Sequence, residues 1–67
     1  MIYVNGKPTD GGEEPTIRDV LLAAEIDPDA AGIAVAVDRE IARRGVWPTL
    51  KVPDGARVEV VTATQGG

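Results

Sequence analysis

Asp54-Gly55-Ala56-Arg57-Val58-Glu59-Val60-Val61-Thr62-Ala63-Thr64-Gln65-Gly66-Gly67 is the stretch on which the reading of the fold turns. Asp54-Gly55 marks a turn. Arg57 to Val61 then alternates β-branched residues with charged ones, the period of a strand with one face buried. If Val58 and Val60 face a core, Glu59 and Val61 face away from it. After Val61 the residues become small and polar and end in two glycines, so the last strand is expected to release a flexible tail, residues 62–67.

Upstream, Ile33-Ala34-Val35-Ala36-Val37 alternates at the same period and reads as another strand, followed by a turn at Asp38-Arg39. At the N-terminal end, Ile2-Tyr3-Val4 runs into Asn5-Gly6, the pair best suited to the positive φ angles of a two-residue hairpin. The returning strand is expected somewhere within Lys7 to Glu14, where Pro8 and Asp10-Gly11-Gly12 blur its limits. Between these β segments, Ile17, Val20, Leu21 and Ala24 share one helical face, and Thr16 with Asp19 three residues later has the pattern of a capping box. This predicts a helix over about Ile17 to Glu25, ended by Asp27-Pro28. The stretch from Glu40 to Val52 lacks a firm period and reads as short strand and loop. The order strand, strand, helix, strand, short strand, strand defines an α+β fold, a mixed sheet of four to five strands wrapped over one main helix. That is the β-grasp, or ubiquitin-like, architecture. With 67 residues there is room for a single domain, 1–67, and a modest core.

The composition narrows the chemistry. There is no cysteine and no histidine, so disulfide staples, the usual zinc sites and Cys-His or Ser-His nucleophilic catalysis are all unavailable. The expectation is a protein with no catalytic residues, no metal site and no bound cofactor. Glu13-Glu14, the pair Asp27 and Asp29, and Arg43-Arg44 read as solvated loop charges. Trp47 reads as a side chain closing the end of a small core. The net charge of -4 and a pI near 4.5 disfavour nucleic acid and anionic membranes and favour basic partners. The apolar runs Val20 to Ala24 and Ile33 to Val37 are far short of the roughly 20 residues that span a bilayer. The N-terminus lacks a signal-peptide pattern, and a cytoplasmic protein is expected.

The C-terminal segment is where function is expected to lie. At average glycine usage of about 7%, a terminal Gly-Gly pair arises by chance in roughly 0.5% of chains. Two glycines give a slim, unencumbered backbone suited to entering another protein's cleft, and six residues from Thr62 to Gly67 can reach roughly 20 Å at about 3.3 Å each. Strand parity adds a place to hold the body during that entry. Tyr3, Ala34, Ala36 and Val61 are expected on the outer face of the sheet as a shallow partner-docking surface.

The residues Val4-Asn5-Gly6, Gly32 to Val37, Asp54-Gly55 and Val58 to Gly67 together resemble the ThiS family, the sulfur carrier proteins of thiamine biosynthesis, over essentially the whole chain. The resemblance implies that the Gly67 carboxylate is adenylated and then converted to a thiocarboxylate, with Thr64, Gln65 and Gly66 forming the tail that presents it. It also implies the partners: an adenylating activating enzyme of the ThiF/MoeB type that uses ATP, a sulfur donor protein, and a thiazole synthase of the ThiG type. Asp38-Arg39 departs from the Asn-Gly common at that turn, and Asp10-Gly11-Gly12 lengthens the early loop. Two alternatives stand beside this reading. One is a carrier resembling the small subunit of molybdopterin synthase, with the same chemistry and a different acceptor. The other is a ubiquitin-like binding or tagging module whose terminus is joined to a target lysine.

Overall fold

The structure, a computed structural model, describes residues 1–62. Seven elements follow one another: β1 (Ile2–Val4), β2 (Lys7–Thr9), α1 (Ile17–Ala23), β3 (Ile33–Val37), β4 (Glu40–Ala42), a 3-10 turn (Arg44–Val46) and β5 (Arg57–Thr62). The strands form one five-stranded sheet in the order β2-β1-β5-β3-β4. β1 and β5 are parallel, whereas the other neighbours are antiparallel. This is the mixed sheet expected, at the upper end of the expected strand number, and the fold is the β-grasp.

The hairpins follow from local chemistry. Asn5 and Gly6 have φ of 51° and 85°, the doubly left-handed turn that matches strand twist. Asp38 and Arg39, with φ of 48° and 74°, build the same turn from two non-glycine residues. Asp38 is held by two bonds to the foot of β5. Its amide donates to the Arg57 carbonyl at 2.8 Å, and its carboxylate accepts from the Arg57 amide at 2.9 Å. Pro8 is tolerated in β2 because that strand lies at the sheet edge. The long early loop is packed rather than loose: a Cβ on Gly11 would come within 3.1 Å of Pro15 Cβ and 3.3 Å of Val20 Cγ2.

The capping box is present. Thr16 Oγ1 accepts from the Asp19 amide at 3.2 Å, and Asp19 Oδ2 accepts from the Thr16 amide at 3.0 Å. At its other end α1 stops earlier than the sequence suggests. The helix ends at Ala23 rather than near Glu25, and Pro28 is not the cause. Glu25 takes φ of 63°, its amide donates to Leu22, and the Ile26 amide reaches back to Leu21 at 2.8 Å. This is a Schellman ending, with glutamate in the place glycine usually takes.

Ile17, Val20 and Leu21 of α1 are fully buried against Ile2, Val4, Val35 and Val58 of the sheet. Trp47 is 3% exposed and closes the core, donating its indole N–H to the Ala42 carbonyl at 2.9 Å. Both arginines are exposed, but the solvated reading of the pair holds only for Arg43. The Arg44 guanidinium donates to the carbonyls of Pro28 and Ala30 and lies 4.6 Å over the Trp47 ring. It straps the loop after α1 to the 3-10 turn. Asp27 and Asp29 are also used locally: Asp27 caps the Asp29 amide at 2.9 Å, and Asp29 pairs with Arg18 at 3.1 Å.

Candidate functional site

The central strand β5 is the element that matters for the C-terminal segment. It is gripped on both sides, in parallel by β1 and in antiparallel by β3, with register Val4↔Val58 on one side and Val35↔Val60 on the other. It also runs one residue further than the sequence reading, because Thr62 pairs with Ile33. The expected tail from residue 62 therefore loses its first member to the sheet. Thr64, Gln65, Gly66 and Gly67, the expected tail and sulfur-carrying terminus, lie outside the described residues.

β1 is too short to accompany β5 to its end, and the turn residue Asn5 makes up the difference. Its backbone amide donates to the Val58 carbonyl at 2.9 Å. Its side-chain amide then takes both backbone groups of Val60, accepting from the nitrogen at 2.9 Å and donating to the oxygen at 3.2 Å. The strand that leads into the C-terminal segment is thus hydrogen-bonded on both edges to within two residues of Thr62.

The outer face carries the residues expected there. Val61 is 63% exposed and sits opposite Ala34, which is exposed, while Ala36, half-buried, sits opposite Glu59. Tyr3 is 40% exposed, beside Arg57. The register thus places all four expected docking residues on one side of the sheet. Ile41 was missed. It lies opposite Ala36 on β4 and is 82% exposed, the most exposed large apolar side chain described. The alternation Glu40-Ile41-Ala42 was its only signal, and three residues are too few to fix a parity without neighbours.

Hollows elsewhere do not assemble chemistry. One, of about 660 Å³, lies at the far end of the domain by Asp10, Glu14, Lys51 and Asp54. Four of its charges pair off, the Met1 amine with Asp54 and Lys51 with Glu14 at 4.0 Å, all well exposed, while Asp10 accepts from the Gly12 amide. Among the described residues no three acidic side chains gather as a metal site would require. No helix there is long and apolar enough to cross a membrane.

A five-stranded β-grasp domain whose best-secured strand feeds directly into the C-terminal segment, beside an exposed apolar face, defines a ubiquitin-like carrier. The sequence matches the ThiS family over residues 1–67, and the chain belongs to that family. It is similar to the crystal structure of the thiamine biosynthesis protein ThiS from Geobacter metallireducens, with a TM-score of 0.76 and 29% identity over 98% of this chain and 97% of that one. The NMR solution structure of a thiamine biosynthesis protein from Geobacter metallireducens superposes with a TM-score of 0.72 at 31% identity, covering 98% and 86% of the two chains. No curated protein matches the sequence significantly. The chain is a sulfur carrier of thiamine biosynthesis rather than an enzyme.

Proposed function

We propose that the Gly67 carboxylate is the group that carries the sulfur. A free carboxylate is a poor electrophile because oxide is a poor leaving group. An activating enzyme of the ThiF/MoeB type, consuming ATP, joins the carboxylate to AMP and expels pyrophosphate. Sulfide-level sulfur delivered by a sulfur donor protein then attacks the acyl carbon, forming the C–S bond as the C–O bond to AMP breaks, to leave a thiocarboxylate. A thiazole synthase of the ThiG type takes the sulfur, and an oxygen from water returns Gly67 as carboxylate. Thr64, Gln65 and Gly66 thread the partner's cleft, while Tyr3, Ala34, Ala36 and Val61 hold the body against the partner. In this scheme ATP belongs to the partner, the carrier binds no cofactor of its own, and the setting is cytoplasmic.

The observation that carries this reading is the route of β5. Its last pairing, Thr62 with Ile33, brings the chain to the edge of the exposed patch formed by Ala34 and Val61. A partner seated on that patch is within reach of a five-residue segment, roughly 17 Å when extended.

Intact-mass analysis with fragmentation, on protein from cells making thiamine, tests it together with labelling by a thiol-selective alkylator. With no cysteine in the chain, a label on Gly67 reports a thiocarboxylate. Fragmentation separates sulfur at Gly67 from oxidation of Met1. A label confined to Gly67 is the expected result, and transfer to thiazole synthase rather than to the molybdopterin system completes it. No label even with activating enzyme, ATP and sulfur donor would sink the proposal in favour of a tagging module.

A further inference from the structure

Two charges on the outer face have no ion-pair partner among the described residues. Arg57 and Glu59 both point outward, because Val58 between them is 1% exposed, and alternate residues of a strand share a face about 7 Å apart. Neither belongs to any of the three ion pairs, and residues 63–67 bring no charged side chain. Within the sheet their neighbours are apolar, while Asp38 and Arg39 of the β3–β4 turn border a hollow with both. Across the ladder Glu59 faces Ala36, with Ile41 next beyond, and Val61 stands one step nearer the C-terminal segment, opposite Ala34. Arg57 has Tyr3 beside it on β1. The nearest acid at the foot of β5, Asp38, already accepts the Arg57 amide with its carboxylate.

A carboxylate set in an apolar contact surface is costly to cover unless the covering surface supplies a cation, and the same holds with opposite sign for the guanidinium. We infer that the outer face takes a partner protein surface that is apolar at its centre and carries a basic side chain opposite Glu59 and an acidic one opposite Arg57. This rests on the carrier reading above and deepens it. The order of the charges has a consequence for the carrier's task. Glu59 lies two residues closer to the C-terminal segment than Arg57 does, so a partner with the complementary order accepts the domain in one direction only. Docking turned by half a circle sets like charges against each other. The pair thus aims residues 63–67 at the partner's cleft. A second copy of this chain is the poorer occupant, because each copy has a net charge of -4.

The test is steady-state sulfur loading by the activating enzyme from the same organism, comparing the unsubstituted chain with Glu59→Gln, Arg57→Gln and the swap Arg57→Glu/Glu59→Arg. The swap is decisive because it keeps composition and net charge and reverses only the order. The expected result is a KM for the carrier raised about tenfold by each single change and further by the swap, with kcat at saturation retained. Thermal midpoints stay unchanged, since neither side chain has a partner to lose. A swap with the KM of the unsubstituted chain overturns the inference while leaving the carrier reading intact. So does a homodimer, seen by sedimentation, that Glu59→Gln dissolves. Failure of the unsubstituted chain to load sulfur with enzyme, ATP and donor overturns both.

Discussion

The side chain of Asn5 and the backbone of Val60 form a closed pair of hydrogen bonds, 2.9 Å into Asn5 Oδ1 and 3.2 Å out of Asn5 Nδ2, that extends the β1–β5 ladder past the end of β1. One residue therefore turns the first hairpin and secures the strand leading to the C-terminal segment. The substitution Asn5→Gly keeps the turn, since glycine accepts φ of 51°, but loses both bonds at a cost of about 1 kcal/mol. Asn5→Ala adds the penalty of a left-handed alanine, for about 2 kcal/mol in all. Urea unfolding gives the totals. Hydrogen exchange gives the location: the Val60 amide loses protection in Asn5→Gly, and Val35, on the β3 side, does not.

Glu25 supplies a prediction of opposite sign. It is exposed and its φ is 63°, so its only conformational role is to end α1 in a geometry that glycine adopts freely. Glu25→Gly should stabilise the domain by about 0.5–1 kcal/mol, read as a higher thermal midpoint. An unchanged or lower midpoint would mean that the glutamate side chain contributes more than its backbone costs.

These two residues mark the boundary of what the sequence discloses. Asn-Gly, the capping box at Thr16 and Asp19, and the alternation in β3 and β5 are local patterns with one strong interpretation each, and they suffice for the topology and for the outer-face parity of Tyr3, Ala34, Ala36 and Val61. A glutamate in the left-handed region carries no such signature, so the helix end was placed at the proline that followed. Arg44 was read as solvated for a related reason. Its partners are the carbonyls of Pro28 and Ala30, and backbone acceptors brought close only by folding leave no trace in a sequence. Ile41 needed the β3–β4 register before its side could be known. Glu59 was visible as an outward charge, but neither its companion Arg57 nor the absence of ion partners around them was.

Arg44 can be tested by a pair of substitutions. Arg44→Ala removes two bonds to carbonyls and the stacking on Trp47, for a loss of about 1–3 kcal/mol in urea unfolding. Arg44→Lys keeps the charge, but a single ammonium cannot span both carbonyls as the guanidinium fork does, so it should recover less than half. Full recovery by lysine would reduce the strap to simple charge attraction.

Asp19 sets a pH dependence. The Thr16 amide, donating to its carboxylate, and the neighbouring Thr16 hydroxyl hold it below its ordinary value of 3.8. Asp29, beside Arg18, and Asp54, beside the Met1 amine, are lowered in the same direction. A carboxyl lowered in the folded state favours folding above its unfolded value, and that contribution disappears as pH falls through the lower folded value. Stability should therefore be level near neutrality and decline on acidification below about pH 4. In Thr16→Val the Asp19 carboxyl should titrate closer to its ordinary value, which NMR can follow, and the acid-side slope should be shallower.

The segment beyond the sheet should separate function from stability. Among the described residues every buried apolar side chain lies between Ile2 and Val58, and the last ladder pair is Thr62 with Ile33. Deleting Gly67, or appending one residue after it, touches none of these contacts, so urea and thermal unfolding should match the unsubstituted chain. Both changes move the carboxylate by one residue, about 3.3 Å, relative to a face whose docking is set by the body of the domain. In-line attack on a nucleotide phosphorus tolerates far less than that. Sulfur loading by the activating enzyme should therefore fall to background in both variants, while the affinity of the enzyme for the folded domain changes little. If loading persists in the extended chain, the terminus is not the carrier atom and a side chain must be sought in its place.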